Sequence, residues 1–122
     1  MGRAEFERIL RDAIDALPED FRKALDNVAI VVEERPPAWL LEEMGIPPGE
    51  TLYGIYHGTP LPERSVQDSG TLPDRISIYR LPLEEDFPDP AERAEEIRIT
   101  LLHEIGHYFG MSEEDLARLE VR

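Results

Sequence analysis

From Arg3 to Leu17 the apolar side chains Phe6, Ile9, Leu10, Ala13, Ile14 and Leu17 return every three or four positions. That is the period of one helical face, so an amphipathic helix is predicted there. Pro18 ends it, and Glu19 to Leu25 reads as a short second helix. Val28-Ala29-Ile30-Val31-Val32 is a mostly β-branched run and predicts a buried strand. A charged, proline-ended exit, Glu33 to Pro37, leads into one or two helical turns from Ala38 to Met44, closed by Gly45 and Pro47-Pro48. Thr51 to His57 predicts a second strand. Arg75 to Arg80 alternates, with Ile76 and Ile78 on one side and Ser77 and Tyr79 on the other, which predicts a third strand with one exposed face. Between these two strands Gly58 to Asp74 has glycines and prolines but no period, and reads as a long loop.

The last third carries the clearest punctuation. Asp89-Pro90-Ala91-Glu92 is a helix start, with Asp89 as N-cap, Pro90 at the first helical position and Glu92 completing a capping box. The helix is expected to run to about Phe109 and stop at Gly110, which tolerates the left-handed conformation. Ser112-Glu113-Glu114-Asp115 then opens a final helix with Leu116, Leu119 and Val121. Helices and strands in this order, without repeats, predict one α+β domain over residues 1–122.

Composition narrows the function. The 122 residues are 41% hydrophobic, enough for one modest core. There is no cysteine, so neither disulfides nor thiolate ligands are available, which suits a reducing cytoplasm. The first residues are polar, Phe6 stands where a myristoylation signal needs Ser or Thr, and no apolar run approaches spanning length; no membrane association is expected. The net charge is −14, from 27 acidic and 13 basic residues. Such a surface repels phosphate backbones, so nucleic acid is not an expected partner, while cations and basic partners are favoured. A monomer is expected.

Two of the three histidines fall at His103 and His107, on the predicted long helix. One turn is about 3.6 residues, so both rings leave the same face and two nitrogens can reach one zinc ion. Glu104 is about 100° further round, beside the ion, where it suits taking a proton from a metal-activated water and handing it on. Leu101, Leu102 and Ile105 make the surroundings apolar. Gly106 costs about 1 kcal/mol inside a helix, which implies room for close approach of another backbone. A catalytic zinc takes three protein ligands and a water. Glu113 is the preferred third ligand, because the chain reverses at Gly110 and Glu113 follows three residues later; Glu114, Asp115 and His57 are the alternatives, and Glu120 lies further off. His57 ends the second strand, as a ligand, a polariser of a substrate carbonyl or an ordinary strand-end residue. Tyr53, Tyr56 and Tyr79 are candidate transition-state donors.

His103 to Glu113 reads H-E-x-x-H-x-x-G-x-x-E, which resembles the metzincin signature, where a glycine turn carries a third ligand at the position of Glu113. Glu departs from the His or Asp usual there, and the methionine turn beneath the metal has no counterpart, since Met111 lies inside the signature. The closer resemblance is to the minimal, acidic zincin-like bacterial metallopeptidases. Ile55 to Leu61, Pro73 to Tyr79 and His103 to Gly110 match its patterns I-Y-x-G-x-P-L, P-D-R-I-x-I-Y and H-E-x-x-H-x-F-G. The resemblance implies a small zincin-like α+β domain, with a short mixed sheet over the N-terminal and zinc helices. It also implies a Zn2+ cofactor and an extended or unfolded peptide as substrate. Arg75 to Arg80 would be the edge strand that binds the peptide, placing Arg75, Ser77, Tyr79 and nearby His57 at the substrate. The competing expectation is a non-catalytic zinc-binding module that engages a basic protein through its acidic surface. A zinc ribonuclease is disfavoured by the charge.

Overall fold

The computed structural model describes residues 2–58 and 74–119. The long loop expected after His57 falls almost wholly outside them, as do Glu120 and Val121. The described elements are α1 (Arg3–Asp15), α2 (Glu19–Ala24), a 3-10 turn (Leu25–Asn27), β1 (Val28–Glu33), α3 (Ala38–Glu43), β2 (Gly54–His57), β3 (Asp74–Tyr79), α4 (Arg80–Asp86), α5 (Pro90–Tyr108) and α6 (Glu113–Leu119). They form an α+β arrangement around a mixed sheet of order β1-β3-β2. β1 runs parallel to β3, with Ile30 opposite Ile76, and β2 runs antiparallel to it, with Ile55 opposite Ser77. No helix among the described residues is long and apolar enough to cross a membrane.

The period-two alternation of β3 sends its residues to opposite faces. Ile76 and Ile78 enter a core shared with Phe6 and Leu10 of α1, Leu83 of α4, and Ile97 and Leu101 of α5. On the other face Tyr79 packs with Ile55 and with Leu40 of α3. The sheet therefore lies between α1 and α5 on one side and α3 on the other. This corrects the expectation that β3 keeps one face exposed: Ser77 and Tyr79 are 0% and 1% exposed, and Leu40 of α3 packs on Tyr79. A second difference is α4. Its residues follow β3 directly, and Pro82 sits in its first turn, where no intrahelical donor is required.

α1 packs against α5 in the shared core. Phe6 is fully buried in the core beneath α5. Phe6→Ala is expected to destabilise the protein by about 3–5 kcal/mol, seen as a lower denaturation midpoint with an unchanged slope. A loss below about 1 kcal/mol would mean that α1 does not support the core. Arg3 also donates to the Val32 carbonyl at 2.7 Å, so α1 covers part of the outer edge of β1. The opposite edge of the sheet is β2, and it is this edge that meets α5.

Candidate metal centre

The helix that carries the histidines begins as its sequence dictates. The Asp89 side chain accepts from the Glu92 amide at 2.9 Å, and Pro90 occupies the first turn. Leu101 and Ile97 fix the buried stripe at 0% exposure. One turn apart, His103 and His107 leave the helix on its half-exposed side, with ring centroids 4.8 Å from each other. The ligand atoms of His103, Glu104 and His107 all lie within 4.8 Å of one another.

The chain then turns back by three local devices. Gly110 adopts φ 81°. Its amide bonds to the His107 carbonyl at 2.9 Å and that of Met111 to the Gly106 carbonyl at 3.0 Å, the pair of bonds that closes a Schellman turn. Ser112 and Asp115 then cap α6 reciprocally: the Ser112 amide donates to Asp115 Oδ2 at 3.2 Å and the Asp115 amide to Ser112 Oγ at 3.1 Å. Finally Leu116, 3% exposed, drops onto Gly106. A Cβ at Gly106 would stand 2.2 Å from Leu116 Cδ2, so what the glycine admits is a side chain of α6 rather than the backbone expected from the sequence. Gly106→Val is expected to cost about 1–3 kcal/mol by overpacking and to move Glu113 off the two histidine rings, because the displaced helix carries it. Denaturation and a zinc titration of the same variant check both effects.

Glu113, the first residue of α6, is thereby returned to the two rings. Its Oε1 lies 2.7 Å from His107 Nε2 and 3.3 Å from His103 Nε2. A tetrahedral zinc with bonds of about 2.0–2.1 Å separates its ligand atoms by about 3.3 Å; two imidazoles and this carboxylate fit the ion in donor type, the His103 distance matches that spacing, and the 2.7 Å contact to His107 is a direct hydrogen bond that an ion would have to open. Glu104 faces another environment. It is 9% exposed, and burial holds its carboxyl above the usual carboxylate range. His107, His103 and the Tyr56 backbone N–H oppose that shift, and Glu113 adds to it.

β2 lies alongside α5, and Gly54 makes this possible. A Cβ at that position would stand 2.9 Å from Thr100 Cγ2 and 3.1 Å from the Ser77 carbonyl. A glycine inside a predicted strand is the sequence signal for such close approach. The outcome is a cleft of about 880 Å³, lined among others by Tyr56 and His57 of β2 and by His103, Glu104, His107 and Glu113.

The remaining candidates are placed as follows. His57 lines the cleft, and burial, then the nearby Arg75 charge, push its pKa down. Arg75 is exposed and Ser77 and Tyr79 are buried, and none of the three lines the cleft. β3 is the central strand, hydrogen-bonded on both sides, so its backbone has no edge to offer a peptide. The edge facing His103 and His107 is β2, and the assignment of Arg75 to Arg80 as that edge is corrected. The tyrosine hydroxyls are committed elsewhere: Tyr56 donates to Asp74 at 2.8 Å and Tyr53 to Asp86 at 2.6 Å. Tyr79 is buried beneath α3. Glu114 and Asp115 follow Glu113 on α6, and Asp115 is used in the cap.

A mixed sheet beside a His-Glu-x-x-His helix, with a carboxylate folded back onto both rings, defines a zincin-type site. The chain belongs to the zincin-like metallopeptidase family, whose profile matches residues 25–122. Among solved structures it is similar to a conserved hypothetical protein from Thermo thermophilus, with a TM-score of 0.60 and 23% sequence identity, over 98% of this chain and 100% of that one. That likeness concerns the fold alone. No curated protein matches the chain.

Proposed function

We propose that this protein is a zinc-dependent peptidase in which His103, His107 and Glu113 hold the metal and Glu104 is the general base. The observation that carries this reading is the convergence of Glu113 Oε1 on both histidine nitrogens, at 2.7 and 3.3 Å, beside a separate, buried glutamate. Bound zinc supplies Lewis-acid activation of water and of the scissile carbonyl. The division of labour between the carboxylates follows from their surroundings. Glu113 is 72% exposed and already lies against the rings. Glu104 is buried, and its raised pKa brings it closer to the value at which a carboxylate both accepts and returns a proton near neutrality. The Tyr56 amide holds that carboxylate against β2.

The substrate is an extended peptide. Among the described strands β2 pairs only with β3, so beyond the Tyr56 amide, which meets Glu104, its outer side can take a further strand by backbone hydrogen bonds. His57, whose pKa burial lowers, stands at the end of that strand within the cleft. The test is metal content by mass spectrometry together with cleavage of unfolded peptides. About one zinc per chain with Glu104-dependent cleavage supports the reading. Zinc without cleavage would leave a metal-binding module and overturn it.

A further inference from the structure

The cleft runs from the two histidines past β2 to α3, where its far wall includes Trp39, Glu43 and Met44. Among the described residues the exposed large apolar side chains are Phe21, Trp39 and Met44, and two of the three stand here. The helix does not need the indole for its own packing, since Leu40 anchors it at 4% exposure while Trp39 is 62% exposed. Trp39 and Glu43 are one helical turn apart, so ring and carboxylate lie side by side on one face. The charged residues lining this cleft carry one sign, with Glu43, Glu104 and Glu113 present and no lysine or arginine among the described lining residues. Glu43 is also near enough to His57, which lines the same cleft, to act on it electrostatically. Arg75 acts on His57 too, but from outside the lining.

An aromatic face next to a carboxylate suits a long cationic side chain. The alkyl stem lies on apolar surface, and the charge is attracted by both the ring and the carboxylate. An apolar side chain would cover the same ring while stripping water from Glu43 without a partner, which is unfavourable. We propose that Trp39 and Glu43 form a subsite selecting an arginine or lysine side chain of the peptide held in the cleft. This deepens the peptidase reading and rests on the same cleft.

Trp39 is the only tryptophan in the chain, so its fluorescence reports occupancy without turnover. The probe is a set of short neutral peptides with one arginine moved through each position, matched by citrulline and norleucine at the same positions. They are titrated into the zinc-loaded protein carrying Glu104→Gln, which keeps the peptides intact. At one position arginine is expected to bind about fivefold to tenfold tighter than citrulline, with a change in Trp39 emission. Adding Glu43→Gln should cut that preference to the smaller part that the ring alone supplies, with little change for the citrulline peptide. Equal binding of arginine and citrulline, tighter binding of norleucine, or a preference undiminished by Glu43→Gln would each overturn the subsite. Arginine-selective binding without hydrolysis by the wild type keeps the subsite and sinks the peptidase reading. Wild-type hydrolysis without arginine preference does the reverse.

Discussion

Glu104→Gln is expected to slow peptide hydrolysis by about 10²–10⁴-fold, the usual contribution of a positioned general base, while zinc remains bound. Glutamine keeps the shape and can still meet the Tyr56 amide, but it cannot take a proton. The fold should survive, because the carboxyl of Glu104 is buried and burial already disfavours its charged form. The decisive comparison is kcat/KM for wild type and variant at equal zinc content. A loss confined to KM would make Glu104 a substrate contact. A variant as active as the wild type would remove the general base from the mechanism.

Glu113→Ala is expected to weaken zinc binding by more than about 100-fold, the upper range for losing a partner outside the ligand set. The carboxylate sits against both imidazoles, at 2.7 Å from His107 and 3.3 Å from His103. Without it only two nitrogens remain. Chelator competition measures the affinity. Thermal unfolding gives an independent reading, since a ligand at about 100 times its Kd adds about 2.7 kcal/mol to stability. Zinc should therefore raise the Tm of the wild type and leave that of the variant nearly unchanged. If Glu113→Ala binds zinc like the wild type while Glu114→Ala does not, the ligand is the neighbouring residue. The pair of variants also separates a metal role from a structural one, because the α6 cap uses Ser112 and Asp115 rather than Glu113.

What the sequence made legible is what local geometry governs. The three-to-four spacing of Phe6, Leu10 and Ala13 placed α1. Asp89, Pro90 and Gly110 bounded α5 within a residue or so, because caps act through bonds between near neighbours. The one-turn spacing of His103 and His107 put both rings on one side for the same reason. The return of Glu113 was half legible, since Gly110 signals a reversal but not its direction.

Only the tertiary structure decided the rest. Strand order is set by which faces find partners, so alternation in Asp74–Tyr79 could not reveal that this strand is central, or that Leu40 of α3 packs on Tyr79. The tyrosine hydroxyls are taken by Asp74 and Asp86, partners far along the chain. Leu116 seated on Gly106 and β2 drawn to Thr100 through Gly54 fix the final positions of Glu113 and of the β2 edge. Periodicity and capping are written in neighbouring residues, whereas these contacts arise only when distant segments compete for the same buried space.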